Sequence, residues 1–178
     1  MGSKGFNLAN DGHIVMGWGS DFGPAHELNG ADHHLAVVNM ENWNHVDFVV
    51  YYGASPRAAG VITVESCSNW VTLAGSPTTA TKIPFQYYRR IVSQLTMGND
   101  VDSEIYTVSV AATGLVPEAG TPNDIMYIIP LDADQLISGH IGFRLDFVNA
   151  AAASLATVVA ICSGARYAGS ARPTVMSV

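Results

Sequence analysis

Residues that dress the outside of helices are scarce in this chain. Glu and Lys together occur seven times in 178 residues, whereas Val, Ile and Thr occur 41 times. β-Branched side chains lose rotamer freedom in a helix and pack well on a pleated, half-buried surface. The balance therefore predicts a mostly β protein. Eight runs bounded by Gly, Pro, Asn or Ser are candidate strands: 35–39, 45–52, 61–67, 82–89, 104–111, 125–131, 141–148 and 155–163. Period-two alternation in Val46/Phe48/Val50/Tyr52, Ile83/Phe85/Tyr87 and Ile141/Phe143/Leu145/Phe147 marks each set as one buried sheet face. In 125–131 and 155–163 both faces are apolar or small, so these strands are expected to be covered on both sides, by a second sheet, an arm or a neighbouring subunit. Only 131–139 reads as helical. There Asp132 is placed to cap a single turn, Leu136 and Ile137 to pack, and Gly139 to end it.

Short strands, frequent turn signals and almost no helix predict an all-β fold, a two-sheet sandwich of jelly-roll or Greek-key type. An immunoglobulin-like sandwich ranks second. The 94 residues between Cys67 and Cys162, with Trp70 beside the first cysteine, do not fit its Cys, Trp, Cys spacing. The sandwich domain is assigned to 35–178, ending in a small-residue strap. Residues 1–34 hold seven glycines and four of the six histidines and read as an extended arm, because a Gly-rich segment packs poorly by itself. Trp18 and Phe22 are the residues by which that arm would dock.

Charged residues make up 13% of the chain, against about 25% in ordinary globular domains, and hydrophobic residues make up 48%. So few charges leave an association-prone surface, and a dimer or trimer is expected. The net charge of −7 and the lack of a Lys/Arg cluster argue against a nucleic-acid partner, which requires concentrated positive charge. No apolar stretch reaches the 18 residues of a membrane span, and no leader pattern follows Met1, so a soluble, unprocessed chain with no membrane partner is expected. Cys67 and Cys162 are isolated and read as reduced, buried thiols.

The sequence holds many side chains capable of chemistry but no recognisable arrangement of them. His13, His26, His33 and His34, with Asp32 and Glu41, lack the spacing of familiar zinc or iron sites. There is no G-x-S-x-G elbow and no phosphate-cradling glycine motif, and Asp100/Asp102 and Asp132/Asp134 lie in turn-like stretches that suit capping. The expectation is a non-enzyme without metal or cofactor. The aromatics Trp18, Trp43, Trp70, Tyr51, Tyr52, Tyr87 and Tyr88 suit a sugar-stacking platform or, more strongly, a protein interface. Interface candidates are Trp18, Phe22, Trp43 and Tyr88, together with Arg166, Tyr167 and Arg172 of the C-terminal strap.

Four segments carry a resemblance: Trp43–Val49 (WNHVDFV), Gly60–Cys67 (GVITVESC), Ile83–Arg89 (IPFQYYR) and the ending Ser163–Gly169 (SGARYAG). Across roughly 35–172 the chain resembles the small head-decoration, or cement, proteins of tailed bacteriophages. The resemblance implies a virion protein, assembled in the host cytoplasm, that binds the major capsid protein on the exterior of the shell and braces it without catalysing a reaction. Residues 1–34 fall outside it. Their Lys4 stands against Asp11, Asp21, Glu27 and Asp32, unlike the basic arms that package genomes. A phage tail component or other shell subunit, and a carbohydrate-binding sandwich, are the alternatives.

Overall fold

The computed structural model describes residues 12–16, 26–28, 32–52, 60–69, 77–91, 105–108, 114–117, 125–148 and 154–165. They form β1 (His13–Met16), β2 (His26–Leu28), β3 (His33–His34), β4 (Val38–Asn39), β5 (Trp43–Tyr52), β6 (Val61–Cys67), β7 (Ala80–Ile83), β8 (Phe85–Ile91), β9 (Ile105–Val108), β10 (Ile125–Asp132), β11 (Gly142–Val148) and β12 (Ser154–Ala165). A seven-stranded sheet runs β1-β12-β5-β10-β8-β9, with β2 also paired to β12. A five-stranded sheet runs β3-β11-β6-β7, with β4 also paired to β11. All the pairings are antiparallel. The two sheets pack face to face, and the expected all-β sandwich is what the chain forms.

Alternation builds the core. Val46, Phe48, Val50 and Tyr52 of β5 point inward beside Ile125, Tyr127, Ile129 and Leu131 of β10 and Ala156, Val158, Ala160 and Cys162 of β12. Ile62 and Val64 of β6 and Phe143, Leu145 and Phe147 of β11 meet them from the other sheet. Burying a side chain such as Phe48 or Phe143 contributes about 1.5–3 kcal/mol, so this double layer outweighs any local preference along the chain.

The run 82–89, expected as one strand, is two. Ile83 still pairs with Val64 in the five-stranded sheet, Pro84 belongs to neither ladder, and Phe85 pairs with Val108 in the seven-stranded sheet. A proline has no N–H to donate, so the ladder breaks there and the chain changes sheets. Another crossing between the sheets is the connector after β10. Asp132 stands at the N-cap of a 3-10 turn (Ala133–Gln135), the Gln135 side chain accepts the Asp132 N–H at 2.8 Å, and Gly139 adopts a φ of +84°. Leu136 packs on the core as expected, but Ile137 is 37% exposed and does not.

Within 1–34, the described residues lie extended along the sandwich itself. β1 pairs with Ala160–Cys162 and Val159, β2 with Ser154–Ala156, and β3 with Asp146 and Phe147. These three strands were not expected from the Gly-rich segment. Beyond β3, Leu35–Asn39 follows the same edge of β11, with the Leu35 N–H donating to the Leu145 carbonyl at 3.0 Å. The approach is so close at Gly142 that a Cβ there would run into the Val38 carbonyl and the Val37 side chain.

Candidate interface and polar clusters

The seven-stranded sheet has an outer face that is largely apolar. Register places Met16, Val159, Val49, Ile128, Tyr88 and Ile105 in one row across β1, β12, β5, β10, β8 and β9. Val49, Tyr88, Ile128 and Val159 are half-buried. The row on one side holds Ile14, Ile161, Asp47 and Pro130, with Ile14 51% exposed, and the row on the other side holds Thr157, Tyr51, Met126 and Arg90. Both faces of β10 and β12 are therefore apolar or small, as expected from sequence, but only the inner face meets the second sheet.

One polar clip closes an end of this face. His45 of β5 lies 2.7 Å from Asp132 Oδ1 through Nδ1 and 3.2 Å from Asp47 Oδ1 through Nε2. When protonated, the ring donates to both carboxylates at once. Burial pulls the His45 pKa down, but Asp132 and Asp47 together outweigh it and leave it raised.

The outer face of the five-stranded sheet is different. On β6 and β11 it carries Thr63 opposite Asp146 and Glu65 opposite Arg144, all buried. Arg144 Nε donates to Glu65 Oε2 at 2.7 Å, and His34 Nδ1 of β3 lies 2.7 Å from Asp146 Oδ1. Burial pushes the Asp146 carboxyl above the ordinary carboxylate range, with Glu65 adding to the rise and His34, Arg144 and Lys82 opposing it. Arg144 Nη1 and Thr63 Oγ1 have no hydrogen-bond partner among the described residues.

Ser66 and His140 stand at nucleophile-to-base distance, with Oγ 2.9 Å from Nδ1. The hydroxyl also accepts the Ile137 N–H at 3.2 Å, and Ser66 is fully buried. Its neighbours make it a clamp on the 136–140 turn, holding that turn to the end of β6. Cys67 and Cys162 are free and buried in different sheets, and burial pushes both thiols up to about 12. Backbone pairing puts His13 and His26 in the seven-stranded sheet and His33 and His34 in the other, so the four histidines do not gather in one sheet. Among the described residues no group of three or more His, Cys, Asp or Glu is placed to hold a metal ion, and no helix is long and apolar enough to cross a membrane.

Of the interface candidates, Tyr88 lies in the apolar row of the outer face. Trp43 does not reach the surface. It is 4% exposed and packs into the core, although its position in β5 has the parity of the outward-facing His45 and Asp47. Trp18, Phe22, Arg166, Tyr167 and Arg172 lie outside the described residues. Of the other aromatics considered for a platform, Tyr52 and Tyr87 are turned onto their own sheet. Tyr52 meets Tyr127 edge-on at 6.1 Å, Tyr127 meets Tyr87 at 5.9 Å, and Tyr87 stacks on Tyr106 at 5.1 Å, with Arg89 over the Tyr106 ring. The outer-face row was not named from sequence. Its signal was Val49, Ile128 and Val159 at the positions that alternate with the core residues. No protein-family model matches the chain, and no curated protein does.

Proposed function

We propose that this chain is a structural virion protein that binds and braces the outside of a tailed-phage capsid shell. The observation that carries the reading is the outer face of the seven-stranded sheet, where Val159, Val49, Ile128 and Tyr88 form an apolar row across β12, β5, β10 and β8. Proteins present contiguous apolar surface where they meet other proteins. The polar groups described above are, by contrast, engaged within the chain: Ser66 holds a turn, Glu65 holds Arg144, and His45 holds two carboxylates. The segments that resemble decoration proteins supply the main strands of the body. Trp43–Val49 opens β5, Gly60–Cys67 contains β6, and Ile83–Arg89 is the stretch that changes sheets at Pro84. A jelly-roll or Greek-key winding belongs to the same proposal. It is supported by a chain that passes from β5 in one sheet to β6 and β7 in the other, back to β8, β9 and β10, and again through β11 to β12.

The major capsid protein is the partner in this reading, and the capsid exterior is its place. Electron microscopy of the native particle tests it. Density matching the two-sheet sandwich on the outside of the shell is the expected result. The same sandwich found in the tail would replace this reading with the tail-component one.

A further inference from the structure

Among the described residues, every strand at a sheet edge is short. β1 and β9 bound the seven-stranded sheet with four residues each, β7 bounds the five-stranded sheet with four, and β2, β3 and β4 have three, two and two. β12, at 12 residues, is the longest strand described. One side of it pairs with β5, and the other meets β1 opposite Val159–Cys162 and β2 opposite Ser154–Ala156. Without these two short strands β12 would itself be an edge. Its sequence, SLATVVAICSGA, has a β-branched centre, no charge and no proline. Edges are kept from pairing with other chains by shortness, charge or proline, and β12 has none of these. Its cover does, since β1 and β2 are short and β2 carries His26 and Glu27. That cover is held by its ladder more than by burial. Ile14 is 51% exposed, and among the described residues the core cluster begins at Leu35.

We infer that β1 and β2 act as an autoinhibitory strap, which keeps the edge of β12 from pairing with β12 of a second copy of this chain. Two antiparallel copies of one strand pair isologously about a two-fold axis, so the opened edge is complementary to itself. The backbone groups of Val159–Cys162 that face β1 would then find their partners in the second copy. This contact lies at the rim of the sheet and leaves its outer face to the shell.

The test is light scattering on a sizing column over a dilution series of two full-length chains, the wild type and Ile14→Pro combined with Val15→Pro. Adjacent N–H groups of a strand point to opposite sides, so the two prolines remove a donor to β12 whichever parity β1 has. The variant is expected to associate with a dissociation constant at least tenfold below that of the wild type. A peptide of residues 12–17, GHIVMG, is expected to reverse the association by refilling the edge. Ile161→Lys added to the variant is expected to suppress it by setting a charge beside the edge. Near-ultraviolet circular dichroism reads whether the sandwich is intact, and Ile14→Gly with Val15→Gly, which weakens the strand more gently, serves if the prolines unfold it. Association equal to that of the wild type across the series, or association that the peptide or Ile161→Lys leaves unchanged, overturns the inference.

Discussion

Arg144 and Glu65 face each other across β11 and β6, joined by a 2.7 Å hydrogen bond from Nε to Oε2, with the arginine 5% and the glutamate 7% exposed. Each charge is there because of the other. Replacing Arg144 by Leu leaves a buried carboxylate without its cation, and a loss of about 3–5 kcal/mol is expected in urea unfolding. Removing both charges with residues of similar volume, as in E65L combined with R144M, is expected to restore most of that loss. A single variant as stable as the wild type would show that the pair is hydrated.

Asp146 gives the same sheet a pH dependence of known sign. Its folded-state pKa is raised, first by burial, so the protonated acid is favoured by folding. Its contribution is fully present below the unfolded carboxylate value, near about 3.9, and is lost as pH rises through the folded value. Asp146→Asn is therefore expected to gain stability relative to wild type as pH rises from about 4. Denaturant unfolding of both proteins across that range checks it, and a relative loss with rising pH would reverse the assignment.

His45 has the opposite chemistry and the same sign. Its pKa is raised, with the carboxylates of Asp132 and Asp47 outweighing burial, so its stabilisation is present below the unfolded value near about 6.5 and disappears as pH rises through the folded one. The clip is solvent-facing at Asp132, so its worth is under about 1 kcal/mol. His45→Gln is expected to flatten the stability profile above the unfolded value near about 6.5 without changing the fold. Two-dimensional NMR titration of the ring protons reads the pKa directly, and a value below the ordinary one would contradict the clip.

Thr63 shows what the charged block costs. Its hydroxyl is buried without a hydrogen-bond partner among the described residues, beside Asp146. Thr63→Val keeps the shape and removes an unsatisfied group, so a gain of about 1 kcal/mol in melting or urea experiments is expected. A loss would mean that the hydroxyl is paired in solution.

The strands legible in the sequence were those whose alternation faces a deep core. The run 61–67 matches β6 in full, and 125–131 falls one residue short of β10. The reading failed where something other than alternation decides. Pro84 divides one apparent strand because a missing donor, not a change in hydrophobicity, moves the chain between sheets. β1, β2 and β3 form in a Gly-rich stretch because β12 and β11 present them with open edges, a long-range pairing that no local pattern announces. Trp43 was placed at an interface from its residue type, yet it packs into the core at the start of β5, against the parity of its strand. The buried block on β6 and β11 was equally hidden, since Glu65, Arg144 and Asp146 look like ordinary outward-facing charges until pairing sets them side by side.

The proposed attachment of this sandwich to the outside of a phage shell is open to a binding experiment. Co-sedimentation of the full chain with tailed-phage capsids that lack a decoration protein reads that binding. Saturable binding at a fixed number of copies per shell, accompanied by greater resistance of the shell to heat, is the expected result. A chain that stays in the supernatant at every concentration, with shells unchanged in stability, would contradict it.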